Sequence, residues 1–266
     1  MSLRRTIARC LLVGWVWWSA GSAAQGSSPD SWIAPDRGAK TVGASGSQAD
    51  SALKSAPGAA PAAPADSTAA PAAARGSANA GPITRPLVRE GDGWLYRRQS
   101  GSTTVLMRQR VTALTEDGIS LITEVAGSVD TATAVYDRQW GLLGSGYNTY
   151  TPALAYYAFP LYPGKRWRID SRVNNFGADQ SSRIEGEGSA AGFEEVETPA
   201  GRFFAMKVIV ELDTIDPGDA ARTLRVRETH WYAREILRPV KVESVTQVAE
   251  EAPRQETIEL VRFRLD

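Results

Sequence analysis

Cysteine and histidine are almost missing from this sequence, with Cys10 and His230 standing alone. Cys10 falls in a segment that reads as a removable leader, so the mature chain has no disulfide and no thiolate metal site. A single histidine cannot form a two-histidine metal site, and any Ser-His-Asp relay has to pass through His230. No Gly-x-Ser-x-Gly elbow accompanies it, and His230 lies within an extended stretch, Glu228-Thr229-His230-Trp231-Tyr232, that suits a packed strand histidine. The expectation is therefore a protein that is not an enzyme and carries no cofactor. A surplus of charge is missing too: from Thr84 onward there are 23 Lys plus Arg against 26 Asp plus Glu. That balance argues against nucleic acid as a partner.

Long apolar runs are absent beyond the N-terminus. Arg4, Arg5 and Arg9 precede a short apolar core at residues 11–20, and Ser22-Ala23-Ala24 supplies the small residues that a signal peptidase needs. Residues 1–24 are expected to be a secretory signal cleaved after Ala24, which places the mature protein in the periplasm. Trp15, Trp17 and Trp18 inside the core leave an uncleaved interfacial anchor as the other reading. Cys10 precedes the apolar core instead of following it, so it does not form a lipoprotein cleavage site. Membrane contact is accordingly expected to be transient or to run through an uncleaved signal.

Residues 25–83 are dominated by Ala, Pro, Gly and Ser, as in Ala59-Ala60-Pro61-Ala62-Ala63-Pro64-Ala65. Too little apolar side-chain area is present to offset the entropy of ordering them, so a disordered tether is expected. Arg37, Lys40, Lys54 and Arg75 are balanced by Asp30, Asp36, Asp50 and Asp66, so it is not a basic arm.

Residues 84–266 carry the fold. The clearest signal is Thr198-Pro199-Ala200-Gly201, where Pro199 presets a type I turn and Gly201 can take a positive φ, closing a bulged hairpin. After it, Phe204, Met206, Val208, Val210 and Leu212 alternate with Lys207 and Glu211, the pattern of a half-buried strand. Further strands are expected at residues 94–99, 103–114, 119–125, 131–140, 166–174, 183–189, 224–231, 240–248 and 257–265. In the last of these Val261, Phe263 and Leu265 should face inward. No helical period competes. The fold class is all-β, a curved, mostly antiparallel meander sheet or partly open barrel.

Arginines two apart, Arg108 with Arg110, Arg225 with Arg227 and Arg262 with Arg264, share strand faces and suit cross-strand ion pairs. Asp213, Asp216 and Asp219 do not match a calcium-loop spacing and read as turn residues. The stretch 136–167 is crowded with rings interrupted by Gly and Pro. Trp140, Tyr150, Tyr157, Phe159, Tyr162 and Trp167 are its candidate ligand-binding residues, since amphipathic rings on loops can stack on sugars or receive lipid chains. The same rings could instead fill one end of the sheet.

Three segments carry a resemblance: Phe159-Pro160-Leu161-Tyr162-Pro163-Gly164-Lys165-Arg166-Trp167, Val196-Glu197-Thr198-Pro199-Ala200-Gly201-Arg202-Phe203, and Thr229-His230-Trp231-Tyr232-Ala233-Arg234-Glu235 running on to Arg238-Pro239-Val240-Lys241. In this order they resemble an uncharacterised family of secreted bacterial β-domains found in periplasmic proteins and lipoproteins. The resemblance implies a fold similar to lipoprotein-carrier half-barrels and supplies no catalytic residues. Two functions follow as expectations. One is a periplasmic binding protein for an apolar or amphipathic envelope ligand, such as a lipid or glycan. The other is an envelope interaction module that docks on a protein without any small ligand.

Overall fold

The structure, a computed structural model, describes residues 81–216, 218, 223–249 and 251–266. The expected signal segment and nearly all of the expected tether lie outside the described residues. Twelve strands follow one another: β1 (Gly93–Ser100), β2 (Thr103–Leu114), β3 (Ile119–Val125), β4 (Thr131–Tyr136), β5 (Leu142–Ser145), β6 (Asn148–Leu154), β7 (Arg166–Asn175), β8 (Gln180–Thr198), β9 (Gly201–Ile215), β10 (Leu224–Ala233), β11 (Arg238–Val248) and β12 (Arg254–Arg264). Each pairs antiparallel with its neighbours in the chain, and β1 also pairs with β12, from Gly93 opposite Arg264 to Ser100 opposite Glu256. The meander is therefore a closed barrel rather than the open or half-barrel form, and closure joins the two edges that an open sheet would expose.

Antiparallel neighbours place successive turns at alternate ends. The near end holds the connections after β2, β4, β6, β8 and β10, together with the chain's point of entry. There Ile83 exchanges two 2.8 Å backbone hydrogen bonds with Leu161, and Arg234 donates to the carbonyls of Gly81 and Pro82. Ile83 is almost fully buried, so the folded body begins before Thr84 and includes a residue that composition assigned to the tether. The far end holds the turns after β1, β3, β5, β7, β9 and β11.

The central hairpin forms as its turn chemistry requires. Thr198 pairs with Gly201 across Pro199-Ala200, and Gly201 has φ +129°. The Ala200 N–H reaches across to the Leu260 carbonyl of β12 at 3.0 Å. Along β9, Met206, Val208, Val210 and Leu212 are buried, each side chain contributing about 2 kcal/mol by removal from water. The interior packs as two clusters. One gathers Leu154, Ile169, Ile184, Met206 and Val210; the other gathers Trp94, Tyr96, Leu121, Val242, Ile258 and Leu260.

The outward positions carry ion pairs: Arg97–Glu259 at 2.7 Å, Arg108–Glu124 at 2.5 Å, Arg225–Asp213 at 3.2 Å and Arg227–Glu211 at 3.3 Å. Apolar inside and charged outside is the reverse of a lipid-facing barrel. Asp213 is thus paired, Asp216 caps the Gly218 N–H at 2.9 Å, and Asp219 lies outside the described residues.

Several strand expectations differ from the structure. Phe204 does not share the inward face of Met206 to Leu212: Phe203 and Ala205 are buried there, and Phe204 is half-buried and stacked on Phe193 at 5.3 Å. The strand expected at 131–140 ends at Tyr136, because Asp137 Oδ1 accepts from the Gln139 and Gly141 N–H groups and turns the chain. The stretch between 141 and 165, with its Gly and Pro residues, hides β5 and β6, short strands aligned by Leu142 opposite Leu154 and Gly144 opposite Thr149. On β12 the register shifts opposite Leu95 and Tyr96, which face Arg262 and Leu260. Ile258 and Leu260 are buried below that bulge, while Val261, Phe263 and Leu265 are only half-buried above it.

Candidate functional site

The six ring residues singled out by the sequence fall mostly inside the barrel. Trp140 and Tyr150 are 3% exposed and Tyr157 is 8% exposed, Phe159 and Trp167 are half-buried, and Tyr162 alone is open at 46%. Trp140 belongs to the cluster around β1 and β12, whereas Tyr150 and Tyr157 belong to the other. Trp167 lies against Gly188 on the facing strand and donates its Nε1–H to the Ala155 carbonyl at 3.1 Å. Tyr162 sits at the near end beneath Lys165, whose Nζ is 5.5 Å from the ring centre. Tyr157 and Phe159 meet, with ring centres 5.8 Å apart.

Around Tyr157 the rings form a polar network. Its hydroxyl is 2.5 Å from His230 Nδ1, and His230 Nε2 is 2.8 Å from Glu228 Oε2. His230 and Glu228 project inward because they are two apart on β10, like Leu224, Val226 and Tyr232. The arrangement is satisfied when Tyr157 donates to Nδ1 and Nε2–H donates to the carboxylate. Tyr156 stacks on the imidazole at 5.8 Å and 14°, and Tyr232 closes edge-on against Tyr157 and Phe159 at 5.2 and 5.6 Å. Burial pushes the hydroxyls of Tyr156 and Tyr157 far above the ordinary tyrosine value, aided in both by the Glu228 charge, although Arg238 partly opposes this at Tyr157. Among the described residues the buried hydroxyls of Tyr156 and Thr214 have no hydrogen-bond partner.

Arg238, at the start of β11, brings a cation into the same interior. Its guanidinium carbon lies 5.1 Å from the Trp140 ring centre and 5.8 Å from those of Trp94 and Tyr136, and Nη2 donates to Gln109 Oε1 at 3.1 Å. Burial works against its charge, but the tyrosines around it favour the cation, and the net direction is upward. Chemically this is an interior cross-braced by hydrogen bonds and ring contacts. Both imidazole nitrogens are engaged, the rings of Tyr157, Phe159 and Tyr232 meet one another, and that of Trp140 meets Arg238 and Tyr136.

The exposed apolar side chains are elsewhere. Val129, Tyr147 and Phe176 are 98%, 73% and 72% exposed, and they sit on the turns after β3, β5 and β7, three consecutive hairpins of the far end. Two of the tips are fixed to each other. The Phe176 N–H donates to the Tyr147 carbonyl at 3.0 Å, Asn175 Nδ2 donates to Asn148 Oδ1 at 2.8 Å, and the Tyr147 ring lies over the Gly177 backbone. Leu87 is exposed on the entry segment and Tyr162 on the connection after β6, both at the near end. This surface carries no distinct signal in the sequence. Tyr147 was one ring among nine in a crowded stretch, and Val129 and Phe176 are single apolar residues within turns.

No protein-family model and no curated protein matches the chain. Among solved structures it is similar to a candidate lipoprotein from Parabacteroides distasonis, with 13% identity over 70% of this chain and 100% of that one, at a TM-score of 0.46. A candidate exported protein with a YmcC-like fold from Bacteroides fragilis is 16% identical over 69% of this chain and 100% of its own, with a TM-score of 0.45. The hypothetical lipoprotein YmcC from Escherichia coli is 14% identical over 65% of this chain and 84% of its own, at 0.39.

Proposed function

We propose that this chain is a non-enzymatic docking module of the cell envelope, exported to the periplasm by its N-terminal signal and meeting a partner protein with the far end of the barrel. The observation that carries this reading is the distribution of rings. Of those expected to line a ligand mouth, Trp140, Tyr150 and Tyr157 are buried and Phe159 and Trp167 half-buried, while Val129, Tyr147 and Phe176 stand exposed on three turns of one end. Large exposed apolar residues grouped on one surface of a soluble domain mark a contact site. Closure of the barrel removes the route by which a sheet edge would recruit a partner strand, which leaves the hairpin tips.

An amphipathic ligand inside the barrel is the second reading. It is favoured by the Tyr156 and Thr214 hydroxyls, which a bound polar group could satisfy. One experiment separates the two: native mass spectrometry with lipid extraction on the mature protein from its own periplasm, alongside crosslinking through a photoreactive residue in place of Tyr147. The docking reading expects a bare protein mass and a discrete crosslinked protein. A stoichiometric lipid or glycan with no crosslinked protein would replace it with the ligand reading.

A further inference from the structure

Resting on the docking reading, we infer that the far-end surface is built for a protein segment that combines apolar with basic side chains. The three apolar-tipped turns, residues 126–130, 146–147 and 176–179, contain Asp130 and Asp179 and not one lysine or arginine. Both aspartates are exposed, Asp130 directly follows Val129, and Asp179 follows Phe176 by three residues. An apolar surface meant for an anionic bilayer carries lysine or arginine beside its rings, because headgroup attraction supplements the burial of apolar area. This surface carries the opposite sign. Carboxylates around exposed rings select a partner that brings cations to the rim and apolar groups to the centre.

Preorganisation points the same way. Tyr147 and Phe176 are held by a backbone hydrogen bond between their own turns, the Asn175 amide bonded to Asn148 braces the strands beneath, and Asn175 Oδ1 accepts the Ala178 N–H at 2.8 Å. Turns whose backbones are already fixed, with the Tyr147 ring resting on Gly177, lose less conformational entropy on docking, as suits anchor residues in protein interfaces. The placement also fits. The described residues begin at the near end, where Ile83 is bonded to Leu161, and the anchors lie at the opposite end.

The test uses the mature full chain and a defined probe, a fluorescent peptide in which leucine and lysine alternate, with its leucine–glutamate counterpart as reference. Wild type is expected to bind the lysine peptide and not the glutamate peptide. Asp130→Lys with Asp179→Asn should weaken that binding about tenfold or more, as should Tyr147→Ser with Phe176→Ser. Asparagine is chosen at 179 because that backbone has φ +49°, which Asn tolerates. Asp117→Lys, a comparable charge change on the near-end turn after β2, should leave binding unchanged. Equal binding by the Asp130/Asp179 variant, or no binding by wild type, overturns the charge inference. Binding to phosphatidylethanolamine–phosphatidylglycerol vesicles that is lost in the Tyr147/Phe176 variant would overturn it in favour of a membrane. If the peptides fail but a photoreactive residue at 147 still crosslinks one protein, the docking reading stands and only the basic partner falls. If neither occurs, both fall.

Discussion

Glu228 and His230 lie two residues apart on β10, turn the same way into the barrel and meet at 2.8 Å, with both side chains almost wholly buried. The histidine is thereby a bridge, since its other nitrogen holds the Tyr157 hydroxyl. Removing it does more damage than removing the charge. His230→Ala leaves a buried carboxylate and a buried phenol without their partner, and should cost about 3–5 kcal/mol. Glu228→Gln keeps an acceptor for Nε2–H and abolishes the buried charge, so its cost should be no more than about 1–2 kcal/mol. Urea unfolding of both variants checks the order, and equal losses would show that the network is not what holds this region.

The interior tyrosines set an alkaline limit. Burial pushes Tyr96 up to about 12, with Arg238 opposing, and raises Tyr150, Tyr156, Tyr157 and Tyr232 further. A group whose folded value is raised gives its full stabilisation below the unfolded value near 10 and loses it as pH climbs toward the folded value. Tyr96 alone then accounts for a loss on the order of 3 kcal/mol between pH 10 and 12. Stability should be insensitive to these groups up to about pH 9.5 and fall steeply above 10. Tyrosinate absorbance from the buried rings should rise together with loss of the barrel, not before it.

Much of the wall of this barrel is legible in the sequence because its strands alternate apolar and polar residues at period two and end in strong turns. Thr198-Pro199-Ala200-Gly201 and Met206 to Leu212 are of this kind, and β2 was bounded at both ends. What was hidden had a physical cause. In β5 and β6 glycine and proline erase the alternation, and pairing with neighbours decides instead of local preference. The β12 bulge swaps the inward residues midway, which no single-strand pattern can reveal. The depth of the candidate ring residues is hidden for a related reason. Crowded rings signal aromatic packing equally well in a mouth or in a core, and only the long-range meeting with Tyr232, His230 and Arg238 decides between them. Arg238 itself reads as one more surface arginine until β11 is seen to turn it inward.

Arg238 gives the third prediction. Its guanidinium is shared by the rings of Trp94, Tyr136 and Trp140 and bonded to Gln109. Lysine keeps the charge but not the planar fork, so Arg238→Lys should cost about 2 kcal/mol. Because two of the three rings are indoles, the substitution should also change the native-state tryptophan emission. An unchanged spectrum with unchanged stability would separate the arginine from the aromatic cluster.

Gly188 and Trp167 supply the last. They face each other across β7 and β8, and a methyl group on Gly188 would fall 2.1 Å from the indole ring, far inside contact distance. The indole cannot swing away freely, since its Nε1–H is bonded to the Ala155 carbonyl on the connection that leads into Tyr156 and Tyr157. Gly188→Ala should therefore cost about 1–3 kcal/mol through overpacking, and the strain should pass into that connection. Trp167→Ala in the same background removes the obstacle. The double variant should then be less destabilised than the sum of the two single variants, with a coupling of about 1 kcal/mol or more. Strict additivity in the unfolding free energies would mean that the glycine is needed for something other than the ring.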